Sequence, residues 1–318
     1  MNGEMRIGLD VMGGDYAPAA TIEGAILAKR ELAGRADIVL IGDTKSIEPL
    51  LLERGQNPND FDIIHAPDVI EMGDHPARAF TQKAESSISV GFKLLKQGSI
   101  HAFAGAGNTG AMMVGSVLSC GTIEGVQRPC IMSLIPKESG GNGVLLDVGS
   151  NADCKPELLL QFAVLGSMYA SNVLGIENPK IGLINIGEEP EKGNQLAQAS
   201  YALLNESHDI NFIGNIEGRD LFNAKADVMV CDGFTGNVIL KLAEAFYWQY
   251  RKRKLNDDYF DRFNYENYGG TPILGINSTV IVGHGISNAI AICNMIKLAY
   301  EVENAGLTEK IKAVLHDE

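Results

Sequence analysis

Short apolar runs recur along the whole chain, and between them apolar residues return every three or four positions. Residues 5–11 predict a buried strand ending in the turn Met12-Gly13-Gly14-Asp15, and a helix follows over 18–32. Residues 37–41 predict a strand stopped by Gly42-Asp43, 46–54 a short helix, and 61–66 a third strand. A helix over 86–97 carries Val90, Leu94 and Leu95 on one face. Strands are predicted again at 144–148, 180–186, 226–231 and 279–282, a long helix at 156–174, and further helices toward the C-terminus. Alternation of this kind implies an α/β fold, a mostly parallel sheet covered by helices. No repeat of fixed period and no low-complexity linker is evident.

The chain has 318 residues, 45% hydrophobic and 21% charged, which suffices for a large core in two lobes or one large unit. No stretch approaches the ~20 apolar residues that span a bilayer. The opening Met-Asn-Gly-Glu-Met-Arg has no apolar signal core, so the cytoplasm is the default location. Cys120, Cys130, Cys154, Cys231 and Cys293 form no CxxC pair and sit in or beside apolar segments, which fits reduced, mostly buried thiols. No two of the six histidines stand at ligand spacing, and neither a metal nor a cofactor is expected. A net charge of −14 argues against nucleic acid as a partner.

Glycines cluster at the predicted strand ends: DVMGGD (10–15), AGAGNTGA (104–111), LDVGSNAD (146–153), NIGEEPEKGN (185–194), CDGFTGN (231–237) and VGHGISN (282–288). In a parallel sheet these ends carry ligand-binding turns, and the helices that follow offer free N–H groups to an anion. For a single turn, glycine that merely tightens the chain is an equal reading; six together suggest a shared cleft. Gly105, Gly107 and Gly110 imitate a dinucleotide fingerprint. Glu124, at the distance of the ribose contact, does not end a second strand, so that reading is rejected.

DVMGGDYAP, GNTGA, DVGSNAD, NIGEEPEKGN, FIGNIEGRD (212–220), DGFTGNVILK (232–241), YGGTPILG (268–275) and GHGISN together resemble, in order, the motifs of the PlsX family of phosphate acyltransferases. The resemblance covers nearly the whole chain. It implies one catalytic unit over 5–318 with two lobes around a cleft, an architecture similar to isocitrate dehydrogenase and phosphotransacetylase. It also implies a homodimer that transfers a fatty acyl group from acyl-acyl carrier protein to inorganic phosphate for phospholipid synthesis. Two departures stand out: Gly105 replaces the family's serine, and the segment before Tyr268-Gly269-Gly270 is shorter than in many members.

A phosphate oxygen would attack a thioester carbonyl. Phosphate is anionic at neutral pH and the leaving thiol has a pKa near ~8.5, so strong acid–base help is not needed. The harder tasks are holding two anionic partners together and stabilising the oxyanion. Consistent with that, no GxSxG elbow is present. The resemblance gives the lysine of EEPEKGN, Lys192, a catalytic role; from the charge run alone a solvated side chain is the better reading. It likewise implicates Asn237, which as a residue alone serves equally as a helix N-cap. Asp10, Gly13, Gly14 and Asp15 would shape the floor, and Asn108, Thr109 and Gly110 would open a helix toward phosphate. Asp232 and Gly233 would orient Asn237, while His284 and Ser287 would offer donors from a glycine turn. Arg78 and Lys83 are weaker candidates for phosphate or carrier.

The one strongly basic run, Arg251-Lys252-Arg253-Lys254, lies in a basic, aromatic helical projection over 241–267. Its aromatics fit a dimer interface, and its cations fit a dock for acidic acyl carrier protein. Weak peripheral contact with anionic lipid, or with a partner acyltransferase, is the lesser reading, because the segment is short. Two other functions compete. One is a phosphotransacetylase-like enzyme using acyl-CoA, and the other a non-catalytic membrane-peripheral scaffold of lipid synthesis.

Overall fold

The computed structural model describes residues 5–316; residues 1–4, on which the expectation of no signal core partly rests, lie outside. The chain runs β1 (Met5–Asp10), α1 (Ala19–Leu32), β2 (Ala36–Gly42), α2 (Thr44–Glu53), β3 (Asp62–His65), α3 (Pro76–Gln82), α4 (Ser87–Lys96), β4 (Ala102–Gly105) and α5 (Thr109–Gly115). It continues through β5 (Cys130–Pro136), β6 (Asn142–Leu146), α6 (Pro156–Asn172), β7 (Lys180–Ile184), α7 (Gln195–Glu206), β8 (Asn211–Ile216), β9 (Val228–Val230) and α8 (Gly233–Lys252). The last elements are α9 (Asp258–Asp261), β10 (Gly270–Leu274), β11 (Thr279–Gly283), α10 (Ala289–Asn304) and α11 (Leu307–His316). Every strand read from the apolar runs is present. Strands β5, β8 and β10 were not anticipated.

The chain divides into two compact units. One comprises the chain up to Thr122 with Tyr265–Thr308, and the other Ile123–Asn264 with the stretch from Glu309. In the first unit the strand order is β3-β2-β1-β4-β11-β10, parallel except for β10 against β11. Ile7, Leu9, Leu40, Ile41, Phe103 and Ile281 are fully buried, so these strands are continuously apolar, as burial on both faces of a sheet requires. In the second unit the order is β8-β7-β9-β6-β5, parallel except for β5 against β6. Here Leu145, Leu146, Val228, Met229 and Val230 form the buried strands, and Phe162 of α6 is buried against them.

The two units share one scheme. Strands β2-β1-β4-β11-β10 correspond to β8-β7-β9-β6-β5 in order and direction. Sequence echoes survive: Arg6-Ile7-Gly8-Leu9 against Lys180-Ile181-Gly182-Leu183, and Gly107-Asn108-Thr109-Gly110 against Gly233-Phe234-Thr235-Gly236. The spacing differs from pair to pair, and the antiparallel pair follows its unit in one case and leads it in the other. A search for a fixed period therefore finds nothing.

The first unit's core has an aromatic centre. Phe92 of α4 is fully buried and meets Phe80 and Phe103 edge-on, with centroids 5.9 and 5.1 Å away. Phe92→Ala should lower the unfolding free energy by about 3–5 kcal/mol, measured by urea denaturation.

Candidate active site

In each unit the parallel strands end on one edge of the sheet, where ligand turns belong. In the first unit, β1, β4 and β11 are neighbours, and the turns that follow them touch. A Cβ on Gly13 would overlap Asp10 Oδ2 and stand 2.7 Å from the Gly107 nitrogen, so only glycine lets the 10–15 and 105–110 turns approach. Gly14 has φ +111°, and the Asp15 amide donates to the Gly285 carbonyl (2.7 Å), joining the third turn. Asp10, Gly13, Gly14, Asp15, Asn108, Thr109, Gly110, His284 and Ser287 thus belong to one set of adjoining turns.

Their side chains differ in availability. Asn108 caps α5, its Oδ1 accepting from the Ala111 amide (2.9 Å), while its Nδ2 donates to the carbonyls of Glu71 (3.0 Å) and Asp74 (3.1 Å). That amide is consumed by the fold and has little left for a ligand. Thr109 is exposed at the helix start. His284 lies 5.6 Å from the Tyr265 ring, and Ser287 is buried with no partner for its Oγ. Lys83 is held by Asp74 (2.6 Å) and the Val69 carbonyl (2.8 Å), whereas Arg78 is exposed.

Asp10 is fully buried; its Oδ1 accepts from the Met12 amide (3.0 Å), and Oδ2 has no partner in hydrogen-bond geometry. Burial pushes its carboxyl above the usual range, against the opposing pull of Ser87 and of the Met12 and Gly13 amides.

In the second unit, Asp147 directly follows β6 and is also fully buried. Its Oδ1 accepts from Ser150 Oγ (2.7 Å) and from the amides of Ile131 (3.2 Å), Gly149 (3.3 Å) and Ser150 (3.2 Å). Its Oδ2 accepts from the amide (2.6 Å) and Nδ2 (3.0 Å) of Asn151. The glycine turn DVGSN is therefore an anion nest already filled by its own carboxylate. Asn237 lies one helical turn into α8 and donates through Nδ2 to the Val148 carbonyl (3.0 Å). The N-cap of α8 is Asp232, which accepts from Thr235 N (2.9 Å) and Oγ1 (2.8 Å). The capping alternative for Asn237 is thus overturned: Asp232 already holds the helix start.

Lys192 sits on the 185–194 loop, whose backbone is braced by Asn185 Nδ2 donating to the Lys192 carbonyl (3.1 Å) and Asn215 Nδ2 to the Glu189 carbonyl (2.8 Å). Its ammonium is exposed and, among the described residues, has no ion-pair partner. Glu188 of the same charge run pairs instead with Lys225 (2.6 Å). Strands β6, β9 and β7 are adjacent and parallel, so Asp147, Asp232 and the 185–194 loop all follow strand ends on the same edge. The basic residues Arg251, Lys252, Arg253 and Lys254 are exposed where α8 ends, and Arg251 lies 3.6 Å from Asp261.

Asp147, Ser150 and Asn151 were not singled out individually in the sequence, although DVGSNAD marked the turn. All five cysteines are free thiols; burial pushes Cys130 and Cys231 well up, and Cys154 and Cys293 to about 11. Among the described residues no cluster could hold a metal ion, and no helix is long and apolar enough to cross a membrane.

The model of the family described as "Fatty acid synthesis protein" matches residues 5–310. The chain is 42% identical to the phosphate acyltransferase of Dictyoglomus turgidum, over 96% of each chain. It is 44% identical to that of Heliobacterium modesticaldum, over 93% of each. Among solved structures, a phosphotransacetylase from Streptococcus pyogenes aligns over 95% of both chains with a TM-score of 0.65 at 18% identity. A branched-chain phosphotransacylase from Enterococcus faecalis covers 94% of this chain and 99% of its own, also at 0.65, with 14% identity. At these identities the structures show the fold alone.

The raised pKa of Asp10 gives a pH-dependent prediction. Its folded form prefers the proton, so its contribution to stability falls as pH rises from the ordinary carboxylate range through the raised value. Asp10→Asn keeps the acceptor for Met12 and removes the buried charge. Relative to wild type, its Tm should be higher at pH 8 than at pH 4 in paired thermal melts.

Proposed function

Because the chain belongs to the fatty acid synthesis protein family, we propose that it is a phosphate acyltransferase that moves a fatty acyl group from acyl-acyl carrier protein to inorganic phosphate. A phosphate oxygen attacks the thioester carbonyl carbon; the C–O bond forms as the C–S bond breaks. The sulfur leaves as thiolate and takes up the proton that hydrogen phosphate gives up, yielding acyl-phosphate and carrier thiol.

The observation that carries this reading is Asn237. It is anchored by one Nδ2–H on the Val148 carbonyl, at the strand-end edge, so its second N–H is free to meet the developing oxyanion. Asp147 and Asp232 bring negative charge to the same edge, so an anionic substrate needs a cation there. Lys192, without an internal ion pair, suits that task. In the first unit, Asp10 and Asp15 are structural, and Thr109 and His284 stand as donors on the adjoining turns.

The exposed basic end of α8, Arg251 to Lys254, fits the acidic carrier protein. Along α8, Phe234, Val238, Leu242 and Phe246 recur every fourth residue and are all about half or more exposed, a stripe suited to a second copy of the chain.

Incubation with acyl-carrier protein and phosphate should release carrier thiol and form acyl-phosphate; acyl-CoA in place of the carrier should support a lower kcat/KM. Lys192→Ala should abolish the reaction without lowering Tm. Normal turnover in that variant would remove the assignment. Charge reversal across Arg251–Lys254 should raise the KM for the acylated carrier and leave that for phosphate unchanged. An unchanged carrier KM would place the dock elsewhere.

A further inference from the structure

We infer that Asp147 is a positioning residue for acyl transfer: it holds the 148–151 turn so that the Val148 carbonyl fixes the amide of Asn237. This rests on the role given to Asn237 above.

The turn grips α8 at two points. Val148 O accepts from Asn237 Nδ2 at 3.0 Å, and Asn151 O accepts from the Gly233 amide at 2.8 Å. Residues 233 and 237 are one helical turn apart, so both grips fall on the same face of α8. The contact is close. A Cβ on Gly233 would stand 2.7 Å from Asn151 O and 2.9 Å from Asp147 Oδ2, and one on Gly236 would overlap the Asp147 carbonyl. A Cβ on Gly149, which has φ +141°, would stand 3.1 Å from Asn237 Nδ2. Turn and helix are therefore in close contact at positions where only glycine fits.

What fixes the turn itself is one carboxylate. Both Asp147 oxygens accept hydrogen bonds, Oδ1 from Ile131, Gly149 and Ser150, and Oδ2 from Asn151. An amide in its place would turn an NH₂ toward donors on one side or the other, and one end of the turn would be released. Either end displaces a grip on α8. Removing Asp147's charge thus disturbs the free N–H of Asn237 without touching substrate, which separates positioning from direct catalysis.

The test is a double-mutant cycle on the full-length protein, with kcat, both KM values and Tm recorded for each variant. Asn237→Ala should lower kcat about 100-fold, as for loss of one oxyanion donor. Asp147→Asn should lower kcat about 10- to 100-fold and leave both KM values within about twofold. The double variant should then be no slower than the Asn237→Ala variant by more than about threefold. Losses that multiply in the double variant would overturn the positioning role and leave Asn237 standing. Wild-type kcat in Asn237→Ala would overturn the role of Asn237 and this inference with it. Should Asp147→Asn not fold, Ser150→Ala removes a single donor at 2.7 Å and serves in the same cycle. Its several-fold loss of kcat should vanish in the Asn237→Ala background, and a loss that persists there undiminished overturns the inference.

Discussion

A charge buried at the end of an apolar strand sets the terms for everything around it. Taking a carboxylate out of water costs several kcal/mol, and hydrogen bonds to a charged group return about 1.5–3 kcal/mol each, so the surrounding chain must turn donors inward. Around Asp147 the chain does so with four main-chain amides, one hydroxyl and one side-chain amide. The shape of the 147–151 turn is a consequence of that demand, and the seat of α8 is a consequence of the turn. Asp10 shows the other outcome. There the pull of Ser87 and of the Met12 and Gly13 amides offsets burial incompletely, and the carboxyl is pushed above its usual range.

The shared scheme of the two units sharpens this contrast. In the aligned turns, Thr109-Gly110 and Thr235-Gly236 match, but Ala111 stands where the second unit has Asn237. At the ends of β11 and β6, the strand registers put Val282 where the second unit has Asp147. The acid and the asparagine are present together in one unit and absent together from the other. One scaffold thus carries a turn pinned to a helix in one unit. In the other, the close glycine approach of Gly13 to Gly107 joins bare turns.

The βα alternation and the edge where the turns gather were legible, because apolar runs broken by glycine are a local signal. Strand β8 was not, because Asn211, Gly214 and Asn215 interrupt its apolar pattern; β10 opens on the second glycine of a pair and carries Pro272 two residues later. Strand β5 follows Arg128-Pro129 and is recognisable only through its pairing with β6. At the site, residue types were legible and their commitments were not. Asn108 and Asn237 look alike on paper, yet one has its amide spent on carbonyls 34 and 37 residues away, and the other keeps an N–H in reserve. A glycine turn after a strand likewise reads as an anion seat whether or not an aspartate at its own root already fills it.

That occupied nest also bears on the chemical route. Cys154 lies beside it, its thiol donating to the Asn151 carbonyl at 3.3 Å, and is the residue most naturally suspected of carrying an acyl group in transit. Burial pushes its pKa to about 11, with Asp147 and Asp232 adding to the effect. A thiol held that high is mostly protonated at neutral pH and a poor nucleophile, whereas phosphate is already an anion. Burial, with the acids that shape the turn adding to it, thus suppresses the thiol next to the turn. Direct attack by phosphate avoids that handicap, and for that step the proposed site has to hold two anions together and meet the oxyanion with a fixed donor.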